Sequence, residues 1–390
     1  MGQVLGEAGG FVSAPVHSSV SGKVLSVGSQ PHPLGKHTLA FEIENDGADE
    51  TVAYESPGRP WRETAPEELS KAVAAAGIVG MGGASFPTHV KLSPPPEKKI
   101  DTVIINGAEC EPYLTADHRL MLERTEQVLI GALIVRKILG AKHAFIGIES
   151  NKPDAIAAVR DLLAKERFAD LKPAKLRTKY PQGGEKQLIQ AVTKREVPSG
   201  GLPMDAGCLV QNVGTVYAIW DAVVNGRPLY ERVVTVTGPT VRSPKNLLVR
   251  IGTPLRTVLE ACGTEFAATR KVIMGGPMMG LAQSELSAPV IKSTSGILAY
   301  DRLVPPVREN ACISCGNCVK ACPIHLVPST LAKLIEKDRY DDAQEWGVMD
   351  CIECGSCAFA CPSKINLVHY MKLGKYHTQR KRAARKQTKK

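Results

Sequence analysis

Two copies of one cysteine run constrain this chain more than anything else in it. Cys312, Cys315, Cys318 and Cys322, followed by Pro323, read C-x2-C-x2-C-x3-C-P, and Cys351, Cys354, Cys357, Cys361 and Pro362 spell the same run 39 residues later. A tight loop of this kind puts three thiolates on three irons of one cubane, while the fourth cysteine, where proline redirects the chain, reaches the other cluster. That crossing assigns Cys312, Cys315, Cys318 and Cys361 to one [4Fe-4S] cluster and Cys351, Cys354, Cys357 and Cys322 to a second. Zinc takes four tetrahedral ligands, usually as two C-x2-C pairs, and would leave the third cysteine and the proline of each run unexplained. An iron-sulfur domain is therefore expected over 305–374. The segment 330–346 between the runs is helical in pattern and is expected to cap the clusters against solvent.

The other cysteines carry less. Of 11 in the chain, only Cys110, Cys208 and Cys262 lie outside the runs, and an odd number gathered in one segment argues against a disulfide framework. Cys262 falls on the inner face of a short helix, and Cys110 and Cys208 read as buried spectators. With 390 residues and 43% hydrophobic content, the chain is long enough for roughly two to four domains, each with a core. Its longest strongly apolar run, 128–135, ends after eight residues, far short of the ~20 a membrane span needs. The N-terminus, MGQVLGEAGG, lacks the basic stretch and apolar core of a signal peptide. A soluble, cytosolic chain is expected.

The formal charge of +10 belongs to one end. Residues 375–390 hold eight Lys/Arg and no acid, which leaves the rest of the chain at +2. Such a run reads as a basic disordered tail seeking an acidic surface. Aromatic content of 5%, with Tyr376 the tail's one ring, gives no stacking series for nucleic acid.

Residues 1–45 read as short β segments with a turn at Gly22, part of a lipoyl-like barrel-sandwich with no lysine at a hairpin tip. Only one such half is visible, so the segment reads as a scaffold with no chemistry. From 60 to 228, strands and helices alternate. Pro66 opens a helix with Glu67 and Glu68 in its first turn, a strand spans 102–106, a helix runs from about Asp117 to Leu139, a strand spans 144–148, and Pro153 opens another helix. This alternation implies a Rossmann-like α/β layer with a mostly parallel sheet. Residues 229–300 read as a small β-grasp-like domain with a strand and turn at 232–239 and a helix capped by Thr253 with Pro254 at its first position. A proline-bearing linker follows at 303–309.

Within the α/β region, GIVGMGGASFPTHVKL (77–92) has the glycines that let backbone N–H groups approach a ligand. It is not the G-x-G-x-x-G dinucleotide fingerprint. The strand at 102–106 delivers NGAECEP at its C-terminal end, where open α/β sheets bind ligands. YPQGGEKQL (180–188) opens a helix whose N-terminus favours anions, and QNVGT (211–215) follows another strand. GGPMMG (275–280) reads as a structural turn.

The order GMGGASFPTHVKL, NGAECEP, YPQGGE, QNVGT and then the double ferredoxin run resembles the RnfC family, whose members belong to the Rnf ferredoxin:NAD+ oxidoreductase complexes. The α/β core is also similar to the flavin-bearing subunit of respiratory complex I. Carried over residue by residue, the resemblance implies that Gly80, Gly82, Gly83, Lys91, Asn106, Glu109, Tyr180, Gly183, Asn212 and Thr215 contact FMN, and that Phe86, Glu111 and Glu185 lie near NAD(H). It departs from the pattern at Ser85, which replaces a glycine, at Met81, which replaces an arginine, and at Ser93 and Pro94, where a second aromatic is missing. It implies a flavin and iron-sulfur electron-transfer subunit on the cytoplasmic face of an ion-translocating membrane complex. Its partners would be the other subunits and an acidic ferredoxin or an anionic membrane surface. A cobalamin reductase of a bacterial microcompartment shares this fold, and a non-catalytic electron-carrier adaptor is a third reading. His325 and His369, after the cysteine runs, read as surface residues.

Overall fold

The computed structural model describes residues 1–54, 60–302 and 308–387, so most of the expected linker at 303–309 lies outside it. The chain divides into two compact units, one of residues 1–197 and 202–302, the other of 198–201 with the C-terminal part from 303 onward.

The centre of the first unit is a four-stranded parallel sheet in the order Leu171–Leu176, His143–Glu149, Thr102–Gly107, Cys208–Asn212. In the strand Thr102–Gly107, Val103 and Ile105 face a large core under the helices Thr125–Leu139 and Val213–Asn225, while Ile104 faces a second core against the helix Glu185–Thr193. Burial on both faces explains why these strands read as continuous apolar runs. The first three strands step outward in one direction and the fourth returns to the other side of the first, so the chain reverses direction between Thr102–Gly107 and Cys208–Asn212. Ligands bind at such a switch point, beyond the carboxyl ends of the strands.

The helix expected over 117–139 is two helices, Ala116–Glu123 and Thr125–Leu139. They break at Arg124, which leaves the helical region (φ −132°, ψ 32°), while Thr125 Oγ1 donates to the Met121 carbonyl at 2.6 Å. Side-chain bonding of this kind competes with the helix ladder. The second helix ends at Gly140 in the left-handed conformation.

Residues 231–300 form a mixed five-stranded sheet, in the order Lys245–Arg250, Glu231–Thr237, Gly296–Tyr300, Lys271–Met274, Leu281–Gln283, with a helix at Leu255–Glu260. Pro254, not Thr253, holds that helix's N-cap position, with no side-chain capping bond, and Cys262 is buried in the core beside it. The N-terminal segment holds a long hairpin, Gly22–His32 with Lys36–Asn45. Its tip lies at 33–35, not at Gly22, which pairs with Asn45 at the base. The tip residues are Pro33, Leu34 and Gly35, and Lys36 is the first residue of the returning strand, paired with His32.

The second unit is helical, with elements at Asn317–Ala321, Pro328–Glu336, Tyr340–Glu345, Ser356–Ala360 and Leu367–Gln387 around a core that includes Leu331, Ile335 and Met371. Residues 375–387 of the basic tail, expected to be disordered, continue the last helix. Acids on the neighbouring helix receive its cations: Lys381 and Arg385 lie 3.2 and 3.3 Å from Asp341, and His377 stacks on Tyr340 at 4.4 Å.

Candidate functional site

At the switch point, Asn106 and Asn212 sit directly opposite one another at the ends of adjacent strands. Each amide is fixed. Asn106 donates to the Gly183 carbonyl at 2.9 Å and accepts from Ala108 N at 3.2 Å. Asn212 caps the helix Val213–Asn225 by accepting from Gly214 N at 2.8 Å, and donates to Asp117 at 2.6 Å. The glycine-rich segment closes over this edge as a tight loop, with Gly80 N donating to the Phe86 carbonyl at 2.8 Å and Met81 N donating to Thr215 Oγ1 at 2.9 Å. A Cβ at Gly82 would lie 3.1 Å from Asn212 Cβ, and one at Gly183 would lie 3.2 Å from Cys110 Sγ. The loop and the YPQGG turn thus approach the two asparagines from either side as closely as glycine permits.

Lys91 and Glu185, assigned to different ligands by the resemblance, meet in a 2.9 Å ion pair, and Lys91 also donates to the Val210 carbonyl at 3.0 Å. Gly83 has open space around it, Phe86 is exposed, and Ser85 holds a left-handed backbone (φ 53°).

Glu109 and Glu111 point to separate partners. Glu109 accepts from the backbone N–H groups of Asp117 and His118 at 2.8 and 3.0 Å, at the N-terminus of the helix Ala116–Glu123. Burial, and then the nearby Asp117 carboxylate, still push its pKa up to about 8. Glu111 instead accepts from Met278 N and Met279 N at 3.1 and 2.9 Å and is hydrogen-bonded by Tyr180. The GGPMMG turn is thereby a clamp on Glu111. Glu109, Glu111 and Tyr180 line a cleft of about 320 Å³ beyond the strand ends.

Sequence reasoning missed the buried charges behind this edge. Lys152, at the cleft wall, donates to the Ala108 carbonyl at 2.7 Å and lies 3.5 Å from Glu149. Asp117 holds Asn212, and burial raises its pKa against the opposing effects of Asn212, Arg232 and Lys152. Arg232, buried on the strand Glu231–Thr237, donates to the carbonyls of Lys292 and Met81 at 2.6 and 3.4 Å. Only the acid near a helix start, Asp117, had a sequence signal. Cys110 accepts from Gly183 N at 3.3 Å, and burial pushes its thiol up to about 11, which is opposite to an activated thiolate. Cys208 is buried.

In the second unit, Cys322, Cys351, Cys354 and Cys357 line a single small cavity with Ile324, Leu326 and Met371. Burial, with Cys351, Cys354 and Cys322 close by, pushes the Cys357 thiol up to about 12. Leu326 N and Glu353 N point at Cys322 Sγ and Cys351 Sγ, at 3.3 and 3.4 Å. Of the other four, Cys318 and Cys361 are buried and Cys312 and Cys315 exposed; all eight are free thiols. His325 and His369 are exposed.

Four family models match: a barrel-sandwich hybrid domain of RnfC at 1–48, an FMN-binding domain of the Nuo51 type at 73–221, an SLBB domain at 233–282 and a 4Fe-4S dicluster domain at 306–362. The chain is 51% identical over 373 residues to one subunit of the proton-translocating ferredoxin:NAD(+) oxidoreductase complex of Clostridium ljungdahlii, covering 95% of this chain and 81% of that protein. It belongs to the RnfC family. The counterpart from the Na(+)-translocating complex of Acetobacterium woodii is 47% identical, over 96% of this chain and 84% of its own length. An NAD+-reducing [NiFe]-hydrogenase shares the fold, with a TM-score of 0.56 at 19% identity, over 82% of this chain and 63% of that one.

Proposed function

We propose that this chain is the electron-transfer subunit of a ferredoxin:NAD+ oxidoreductase complex, exchanging hydride between NAD(H) and FMN and relaying single electrons through two [4Fe-4S] clusters. The observation that carries the reading is the pair Asn106 and Asn212 at the sheet's switch point, under a glycine loop, in one chain with two four-cysteine runs. The residues suit these groups. Gly82 and Gly183 let their loops pack closely on Asn212 and Cys110, and Gly83 faces open space. Buried Gln182 Nε2 and Gln211 Nε2 have no hydrogen-bond partner among the described residues. Four soft thiols around one cavity form a donor set for iron.

Gly80, Gly82, Gly83, Lys91, Asn106, Glu109, Tyr180, Gly183, Asn212 and Thr215 would hold FMN, and Phe86, Glu111 and Glu185 would face NAD(H). Cys312, Cys315, Cys318 and Cys361 would hold one cluster and Cys351, Cys354, Cys357 and Cys322 the other. When bound, flavin supplies the change between hydride and single-electron chemistry, and the clusters supply the single-electron steps. The protein's part is placement. Asp117 orients Asn212, the Gly183 carbonyl orients Asn106, and Lys91 offers a cation for negative charge, its partner Glu185 being half-exposed and able to release it. No acid-base pair is required of the chain.

No helix among the described residues is long and apolar enough to cross a membrane. We place the chain as a peripheral component on the cytoplasmic face of the cell membrane, held by the other subunits of the complex. Ferredoxin is a candidate partner, and the basic helix that ends the chain suits an anionic membrane surface or an acidic protein. Anaerobic reconstitution with iron, sulfide and FMN, followed by NADH, tests the reading. Bleaching of flavin absorbance and then of the cluster absorbance is expected. Bound flavin that never responds to NADH would remove the dinucleotide assignment, and no bound flavin would leave only an iron-sulfur adaptor.

A further inference from the structure

We propose that the Lys375–Glu353 ion pair sets the reduction potential of one cluster only, the one held by Cys322, Cys351, Cys354 and Cys357, with Lys375 raising it and Glu353 lowering it. The inference rests on the ligand assignment above. Lys375, on the helix Leu367–Gln387, donates to the Cys351 carbonyl at 3.0 Å and to the Glu353 carboxylate, and both side chains are largely withdrawn from water. Glu353 stands between two ligands, Cys351 and Cys354, on a left-handed backbone (φ 58°) that turns its N–H to Cys351 Sγ. The cation is therefore fixed against the backbone of a ligand and does not wander on the surface.

Reduction adds one electron to a cluster and breaks no bond, so a fixed nearby charge acts through its Coulomb interaction with that added electron. A cation favours the reduced state and an anion opposes it. In a half-buried position solvent and salt screen this weakly. The internal repeat provides the comparison. In the first run the residue matching Glu353 is Ser314, also left-handed (φ 56°) but uncharged. The backbone geometry is shared and the charge is not, so the pair distinguishes two clusters that their cysteine spacing makes alike.

The test uses the full chain reconstituted anaerobically, with one-electron titration by dithionite followed by electron paramagnetic resonance. Two four-iron clusters per wild-type chain would uphold the ligand assignment, and fewer would overturn it independently of this proposal. Given two clusters, Lys375→Met is expected to move one midpoint to more negative potential and Glu353→Gln to move the same midpoint to more positive potential. Lys375→Arg keeps the charge and should remain near wild type, while the other midpoint stays in place in all three. Fixed midpoints in fully loaded Lys375→Met, or equal movement of both, would overturn the proposal. If Lys375→Met fails to load, Glu353→Gln alone decides it, since it retains the cation and changes only the opposing charge.

Discussion

Ser85 shows how a single residue can carry strain into a ligand loop. It stands where the related pattern has glycine, and its φ of 53° is a conformation that costs a residue with a Cβ about 1 kcal/mol. Ser85→Gly removes that cost but loosens the unfolded chain, so a net gain of about 0.5 kcal/mol in urea unfolding is expected. A loss would show that the hydroxyl, not the backbone, governs the loop. Glu109 gives a prediction with a sign. Its pKa rises from 4.5 to about 8, mainly through burial and then through Asp117. The folded state therefore binds more protons than the unfolded one, and this residue's contribution to stability is complete below about pH 4.5 and is lost as pH climbs through 8. Glu109→Gln should flatten the decline in unfolding free energy between pH 5 and 8; equal slopes in both proteins would refute the burial of an ionisable carboxyl here. The glycines and cysteines of the proposed sites could be named from the sequence because their type and spacing have a local reason, whereas the partners that fix Asn106 and Asn212 lie 77 and 95 residues away. What Glu111 binds was not, since the Met278 and Met279 N–H groups come from a turn more than 160 residues away.

At the scale of elements, the strand Glu231–Thr237 does more than build a small β domain. Its Arg232 reaches the Met81 carbonyl of the glycine loop and, electrostatically, Asp117, which holds Asn212. Desolvation by burial pulls the guanidinium pKa down to about 10, and Asp117 pulls it back up. The two charges are not in ion-pair contact, but both are buried, and removing either leaves the other less compensated at a cost of about 3 kcal/mol. Arg232→Met and Asp117→Asn should each lose about that much in chemical denaturation. The double variant should recover at least half of the summed loss, whereas strictly additive losses would mean that the two charges do not sense each other. Flavin affinity should weaken in Asp117→Leu, which removes the oxygen that orients Asn212, and less in Asp117→Asn, which keeps an amide oxygen as acceptor. The alternation of strands and helices was readable from periodicity alone. The break at Arg124 was not, because an unbroken apolar stripe runs through it and only Thr125's bond to Met121 reveals the interruption. The helical tail was missed for a related reason: a run of like charge argues for disorder until its counter-charges, Asp341 and Glu353, are brought beside it by the fold.

The whole molecule consists of two units with separate sources of stability. The first has large apolar cores on both faces of its parallel sheet. The second has a much smaller core in which Cys318, Cys357 and Cys361 are themselves members. Ligands that bind only the folded state add their binding free energy to stability, and small metal-bearing domains depend on that contribution heavily. Cluster loss should thus be felt unequally. Calorimetry of the loaded chain is expected to show two transitions, and oxidative removal of iron should lower that of residues 308–387 sharply while leaving that of the first unit in place. Added FMN should do the reverse, raising the first unit's transition by about 2.7 kcal/mol in equivalent stability at a concentration one hundred times its dissociation constant. If iron removal displaced both transitions together, the units would be energetically one body, and the division of labour between a flavin-placing sheet and a cysteine-held helical domain would have to be abandoned.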